Sequence, residues 1–251
     1  MTAQHLTILT GASRGMGLGL AQQLLQQTGQ HLVCISRNTN AALQATAAHT
    51  SVEQWPHDLA SGQDAAQALA TWLRAQAPGR FASATLINNA ALLPPPAPLA
   101  QSEPAALVQA LRVGLEAPML LTAAFLQATR AWGVPCKVLN ISSGLGRRAM
   151  ASQAAYCTVK AGLDHFTRCL ALEEALQPRG ARVCSLAPGV IDTDMQAALR
   201  GPDTGLFPDQ PRFAGLHQQG QLTSPAEAAA RVLAWLARDD FGSEPVADVR
   251  G

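Results

Sequence analysis

A single tyrosine, Tyr156, precedes Lys160 by four residues, and the 251-residue chain holds only one other lysine, Lys137. Residues at i and i+4 share one face of a helix, so a helix here sets the phenol and the ammonium side by side. A free phenol ionises near pH ~10 and is a sluggish acid–base group at neutral pH. An adjacent ammonium favours the phenolate and draws that value toward the working range of a general acid–base. Arginine supplies nearly all the other positive charge, so a lysine kept here is expected to serve chemistry of its own. Ser143 lies thirteen residues before the tyrosine, in Asn140-Ile141-Ser142-Ser143-Gly144. It follows a predicted strand, and parallel sheets bind ligands at C-terminal strand ends, so its hydroxyl points into the same crevice. By itself the Tyr-Lys spacing also fits an exposed pair on a surface helix.

The segment Thr10-Gly11-Ala12-Ser13-Arg14-Gly15-Met16-Gly17 follows the first apolar run and opens the first helical stretch. Glycine lets a chain turn tightly there and lets main-chain N–H groups approach a pyrophosphate at the positive end of a helix. The G-xxx-G-x-G spacing differs from the usual GxGxxG, and an ordinary βα turn is the alternative. The strand before and the helix after favour a nucleotide. A site selective for NAD would carry an acid about 20 residues beyond the glycines, for the ribose 2′-hydroxyl. Here Val33-Cys34-Ile35-Ser36-Arg37-Asn38 has none. Arg37 takes the acid's place, Ser36 adds a hydroxyl, and Arg14 lies in the glycine turn. Two guanidinium groups suit a 2′-phosphate, so NADP(H) is the expected cofactor; two solvated surface arginines are the plainer alternative.

The apolar pattern supplies a scaffold for these groups. Residues 6–10, 31–36, a weaker 50–55, 84–88, 137–141 and 181–186 read as short buried strands. Residues 16–27, 60–77, 103–130 and 152–176 have helical spacing. Ser224 opens a last helix, with Pro225 at its first position and Glu227 completing an S-x-x-E capping box. Strands alternating with helices predict an α/β fold: a single-domain, Rossmann-type, doubly wound parallel sheet with helices on both faces, spanning 1–251. The proline-rich stretch 92–100 reads as a surface loop. The weakly periodic stretch 192–221 reads as a lid or substrate segment.

Composition excludes several classes. With 48% hydrophobic and 14% charged residues the chain is a core-former, not a disordered polymer. Its balance of 18 basic and 17 acidic residues leaves no electrostatic footprint for nucleic acid or an anionic membrane. No unbroken apolar run reaches about eighteen residues, so no membrane span is expected. The opening MTAQHLTILTGAS lacks the basic start of a signal peptide. The 5 cysteines are odd in number and none forms a CxxC pair, which argues against a disulfide framework or a zinc site and for the cytoplasm. The 6 histidines show no ligand spacing, so no metal is expected.

In order and at matching spacing, TGASRGMG (10–17), Asp58, NNAA (88–91), NISSG (140–144), YCTVK (156–160) and APGVIDT (187–193) resemble the short-chain dehydrogenases/reductases. The resemblance runs from Leu6 to about Ala237. It implies that Tyr156 is the catalytic acid–base, that Lys160 lowers its pKa and binds the ribose, and that Ser143 hydrogen-bonds the substrate oxygen. It implies cofactor contacts from Gly11, Ser13, Arg14, Gly15, Met16 and Gly17 in the first turn, and from Ser36 and Arg37 after the second strand. Asp58 would meet the adenine beside Leu59, and Asn88, Asn89 and Ala90 would lie along the cofactor. Pro188, Gly189, Val190, Ile191 and Thr193 would join Tyr156 and Lys160 at the nicotinamide end, Thr193 holding its amide. The DTDMQ at 192–196 is similar to that of sepiapterin reductases and bacterial benzil reductase-like members. The implied activity is NADPH-dependent reduction of a ketone or α-diketone, by a homodimer or homotetramer paired through 103–130 and 152–176.

Two departures keep a non-catalytic NADP-binding regulatory protein as the alternative. The family's NNAG reads Asn88-Asn89-Ala90-Ala91, and its N-L-x-A-P reads Gly114-Leu115-Glu116-Ala117-Pro118. The resemblance puts at 114 an asparagine that helps hold a water of a proton relay; a water in the space left by Gly114 is the expected substitute. A reductase of acyl-carrier thioesters would want a basic docking patch, for which Arg147-Arg148 is the only adjacent pair. Met150, Leu199, Leu206, Phe207 and Phe213 around the lid suggest an uncharged, aromatic substrate. Asp248 matches a pterin-anchoring aspartate only loosely and reads as a solvated tail carboxylate.

Overall fold

A computed structural model describes residues 4–44 and 50–250, so the outermost residues of the 1–251 span, and of the opening segment read for a signal, lie outside it. The strands are β1 (Gln4–Thr10), β2 (Gln30–Ser36), β3 (Ser51–Pro56), β4 (Phe81–Asn88), β5 (Cys136–Ile141), β6 (Arg182–Ala187) and β7 (Val246–Asp248). They form one 7-stranded sheet in the order β3-β2-β1-β4-β5-β6-β7. Each neighbouring pair runs parallel. The order reverses between β1 and β4, which opens a crevice at their C-terminal ends.

Helices α1 (Gly15–Leu24), α2 (Gly62–Arg74), α3 (Pro104–Leu111), α4 (Ala117–Thr129), α5 (Ala154–Ala175) and α8 (Pro225–Ala237) surround the sheet. Every residue of β2 is buried, because a parallel strand meets a core on both faces and so reads as a continuous apolar run. Leu9, Leu32 and Cys34 pack on one face with Leu20 and Leu24 of α1 and Val232 and Leu236 of α8. Ile8, Val33 and Ile35 pack on the other with Leu69 and Leu73 of α2, Leu121 and Phe125 of α4, and Leu170 of α5. The expected doubly wound α/β fold is what the chain forms.

The apolar stretch 103–130 is not one regular helix. Between α3 and α4 the residues Arg112–Glu116 form a π-helical turn. Pro118 has no N–H to give the Gly114 carbonyl, the partner an α-helix would require, and a wider turn absorbs the loss. By length and composition the helical run Pro104–Trp132 is apolar enough to cross a membrane, a property that counting unbroken apolar residues misses. In this fold its Val113, Ala117, Leu121 and Phe125 are buried against the sheet.

Three further differences from the pattern-based reading concern the C-terminal third. The 192–221 stretch contains two short helices, α6 (Asp194–Ala198) and α7 (Gln210–Gln218). The capping box at α8 is half formed: Ser224 Oγ accepts from Glu227 N at 3.2 Å, while the Glu227 carboxylate pairs with Arg231 at 2.8 Å. Asp248 is no solvated tail residue; it lies on β7, its side chain mostly buried and paired with Arg250 at 2.7 Å.

Candidate active site

The glycine turn is braced by Thr10 and Asn89. Thr10 Oγ1 accepts from Asn89 N at 2.9 Å and Ala90 N at 3.0 Å, and Asn89 Nδ2 donates back to the carbonyls of Thr10 at 2.9 Å and Gly11 at 3.2 Å. Ser36 Oγ accepts from Ala12 N at 2.8 Å. Gly11 and Gly15 adopt φ of 71° and 55°, which favour glycine. A Cβ on Gly17 would stand 2.0 Å from the Gly11 carbonyl oxygen. Among the described residues no side chain caps the N-terminus of α1, and no acid lies in its first turn. The N–H groups that open the helix are therefore left available to an anion such as the pyrophosphate of a dinucleotide. That Thr10 orders this turn is not legible in the sequence, because a threonine at a strand end carries no distinctive spacing.

At the adenosine end, Arg37 is exposed and makes no ion pair among the described residues. Arg14 Nη1 pairs with Asp194 Oδ2 at 2.9 Å. Asp58 is exposed and its Oδ1 accepts from Ala60 N at 3.0 Å, opening the short 3-10 turn Leu59–Ser61. The side chains of Met16 and Leu59 belong to the two cores, which leaves their main chain as the part able to meet a cofactor. Ser13 offers its carbonyl to Asn40 Nδ2 at 3.0 Å.

After β6, buried Pro188 and left-handed Gly189 turn the chain toward the crevice. Thr223 stitches that segment down: its N–H donates to Val190 O at 3.0 Å, its carbonyl accepts from Asp192 N at 2.9 Å, and it bridges Ile191. Thr193 caps α6, with Oγ1 accepting from Gln196 N at 3.4 Å. Its Cγ2 lies 3.5 Å from where a Cβ on Gly15 would be, so the glycine turn and the post-β6 segment close on the same space.

Tyr156 and Lys160 project from α5 beside Ser143, which follows β5. Ser143 Oγ accepts from Leu145 N at 3.2 Å, and its hydroxyl lies near the Tyr156 phenol. Burial pushes the Tyr156 phenol up to about 12, with the Ser143 hydroxyl opposing. Lys160 is 2% exposed and donates to the Ile141 carbonyl at 2.6 Å. Its Nζ lies 5.6 Å from the Tyr156 ring centroid. Burial pulls the ammonium down to about 8, and the Asp164 carboxylate opposes this. The expected drop in the phenol's pKa is thus not seen here: desolvation governs the tyrosine, and the Lys160 ammonium points its hydrogen bond at the Ile141 carbonyl rather than at the phenol oxygen.

Other expectations are corrected. Asn88 does not lie along the crevice; it is 2% exposed, and its Nδ2 donates to Thr122 Oγ1 at 3.1 Å and Asn140 Oδ1 at 2.8 Å. Asn140 in turn donates to Thr167 Oγ1 at 2.9 Å, so these groups form a polar tie through the core. Gly114 leaves no space for a substitute water on its side-chain side, because Val159 Cγ1 would lie 2.5 Å from its Cβ. Arg147 is not free for docking; it stands 3.6 Å from Asp164 and donates to Ala247 O at 3.0 Å. Phe207 and Phe213 stack on each other at 5.6 Å and are buried with Leu199, so they hold the lid segment together rather than line the crevice. Leu93 and Met150 pack against that cluster.

A parallel sheet with a glycine-lined, uncapped helix end on one side of its crevice and a serine, tyrosine and lysine on the other defines a dinucleotide-dependent oxidoreductase. The chain belongs to the short-chain dehydrogenase/reductase family: the family model for short chain dehydrogenases matches residues 5–203. It is 34% identical to benzil reductase ((S)-benzoin forming) of Bacillus cereus over 93% of this chain and 94% of that protein. It is 32% identical to sepiapterin reductase of Meriones unguiculatus over 94% of this chain and 92% of that one. The crystal structure of a short-chain dehydrogenase/reductase from Burkholderia vietnamiensis covers 100% of this chain, and 99% of its own, at TM-score 0.67 and 33% identity. The protein is accordingly an oxidoreductase of the CH–OH/C=O type, with a nicotinamide cofactor and a small-molecule carbonyl substrate.

Proposed function

We propose that this protein is an NADPH-dependent carbonyl reductase acting on a ketone or α-diketone, with Tyr156 as the proton donor. The observation that carries the reading is the convergence of Ser143, at the C-terminal end of β5, with Tyr156 and buried Lys160, which stand one turn apart on α5. The names of the relatives, a benzil reductase and a sepiapterin reductase, support a carbonyl or dicarbonyl substrate. A bound nicotinamide dinucleotide supplies the hydride. Ser143 and Tyr156 donate hydrogen bonds to the carbonyl oxygen as it gains charge. A phenol held protonated by burial is suited to give that oxygen its proton. Lys160 holds positive charge beside the phenol and meets the ribose. Arg37, with Arg14 once it leaves Asp194, receives the 2′-phosphate. Thr193 holds the carboxamide, and the 193–221 segment covers the substrate and excludes water.

The test is NADPH oxidation over a carbonyl panel that includes benzil and sepiapterin, with an NADH arm and Tyr156→Phe beside it. Turnover that prefers NADPH and disappears in the variant supports the reductase. Tight NADPH binding without turnover of any carbonyl overturns it in favour of a non-catalytic NADP-binding protein. We propose further that the protein works in the cytoplasm as a homodimer or homotetramer. Exposed Val108, Leu111 and Met119 on the α3–α4 run and Leu172 on α5 support pairing through those helices. Sedimentation of the purified protein as a monomer would remove it.

A further inference from the structure

Asp164 lies one turn beyond Lys160 on α5, at the spacing that separates Lys160 from Tyr156. It is 1% exposed, and a carboxylate inside a protein is costly unless something answers its charge. Its Oδ1 accepts from Ser185 Oγ of β6 at 2.6 Å. Among the described residues its Oδ2 has no hydrogen-bond partner, and Arg147 Nε stands 3.6 Å away. Among the described residues no ion pair reaches Lys160, whose ammonium donates to the Ile141 carbonyl instead. Two opposite charges are therefore enclosed one helical turn apart without touching. Charges in such surroundings are poorly screened and act on each other beyond contact distance.

The turn that carries Ser143 rests on the same two residues. A Cβ on Gly146 would lie 2.8 Å from Asp164 Oδ2 and 2.9 Å from the Lys160 carbonyl oxygen. Only a glycine lets the turn approach α5 this closely, and Arg147, the next residue, closes the carboxylate from the solvent side while its Nη2 is fixed on β7 at Ala247 O. We propose that Asp164 is a positioning residue for the reductase chemistry: its buried carboxylate, fixed by Ser185 and faced by Arg147, keeps Lys160 an ammonium and seats the turn that carries Ser143. The proposal rests on the reductase reading for its consequence in catalysis, not for the charge coupling itself.

The other ionisable groups around this point are accounted for. Tyr156 and Cys157 precede Lys160 on α5, and His165 on the same helix is exposed. Glu174, farther along α5, is bound by Arg130 at 2.6 Å. Cys184 on β6 is a buried thiol pushed up to about 11, and so is neutral. Asp248 on β7 is engaged by Arg250, and Arg112 and Glu116 of the π turn are exposed. Asp164 is thus the carboxylate that opposes the effect of burial on Lys160.

A chain with 2 lysines allows a direct reading. Protein labelled with 13Cε-lysine, free of cofactor, gives two signals that Lys137→Arg assigns, and each is titrated by NMR. Asp164→Asn keeps the shape and the bond to Ser185 but removes the charge, and is expected to lower the Lys160 midpoint by about one pH unit or more. Arg147→Gln leaves Asp164 less compensated and is expected to raise it. Lys137 should not move in either variant. In turnover assays, the alkaline limb of kcat/KM should shift to lower pH in Asp164→Asn. An unmoved Lys160 midpoint, or equal movement of both lysines, overturns the proposal. If Asp164→Asn does not fold, the Arg147→Gln titration decides alone, an unmoved Lys160 midpoint overturning the proposal. A wild-type protein that reduces no carbonyl defeats the reductase reading and leaves the lysine titration to decide for Asp164.

Discussion

Val159 Cγ1 stands 2.5 Å from where a Cβ on Gly114 would lie, so the π turn and α5 meet where no side chain fits. Gly114→Asn, which installs the residue that the family resemblance implies here, should therefore destabilise this protein by about 1–3 kcal/mol, the usual cost of overpacking. Val159→Ala in the same chain should recover part of that loss. Urea unfolding of the wild type and the two variants checks both expectations. A Gly114→Asn protein as stable as the wild type would mean that the two helices separate at little cost.

Much of the site is readable from short stretches because the groups are local to one element. The i, i+4 spacing of Tyr156 and Lys160 places them on one face of α5, and the glycines at 11, 15 and 17 occupy a turn whose shape needs them. What stayed hidden depends on contacts between elements. Asn88 and Asn89 are adjacent on and after a strand, and neighbouring strand residues point to opposite sides, so one enters the core and the other braces the turn. The three residues of β7 are too few to show a period. The depth of Lys160, which moves its pKa, follows from how α5 lies on β5 and β6.

Tyr156→Phe removes only the phenol oxygen and keeps the ring. It should lower kcat by about 100-fold to 10,000-fold, the range for a lost general acid. Affinity for NADPH, followed by quenching of protein fluorescence, should change little. Equal losses in turnover and in cofactor affinity would show instead that the hydroxyl is mainly a binding group.

Arg37 is the exposed guanidinium at the end of β2 that makes no ion pair among the described residues. A hydrogen bond to a charged group contributes about 1.5–3 kcal/mol, or roughly 10- to 100-fold in affinity. Arg37→Ser should raise KM for NADPH by that factor and leave KM for NADH unchanged. A parallel rise for both cofactors would place Arg37 away from the 2′-phosphate.

Gly17→Ala puts a methyl 2.0 Å from the Gly11 carbonyl oxygen and 2.6 Å from Asn89 Nδ2. Both neighbours belong to the hydrogen-bonded turn at the start of α1, so the turn must open to admit it. Dinucleotide affinity should fall steeply, and stability should drop by about 1–3 kcal/mol. Calorimetric titration with NADPH measures the first, and thermal unfolding the second. Wild-type affinity in this variant would show that the turn does not form the pyrophosphate cradle.

Lys160 also makes stability depend on pH in a defined direction. Burial lowers its pKa to about 8 in the folded protein, against an ordinary value of 10.5. Between those values the unfolded chain binds more protons than the folded one, so this residue makes stability rise with pH through that window. Tyr156 acts in the opposite sense above its ordinary 10.0, because its folded value is about 12. Lys160→Met removes the buried ammonium. Relative to wild type it should therefore gain most in stability at pH 7, and that gain should shrink as the pH approaches 10. Guanidinium unfolding at both pH values provides the comparison. A stability difference that is the same at pH 7 and pH 10 would show that Lys160 ionises alike in the folded and unfolded states, which its enclosure between α5 and the Ile141 carbonyl forbids.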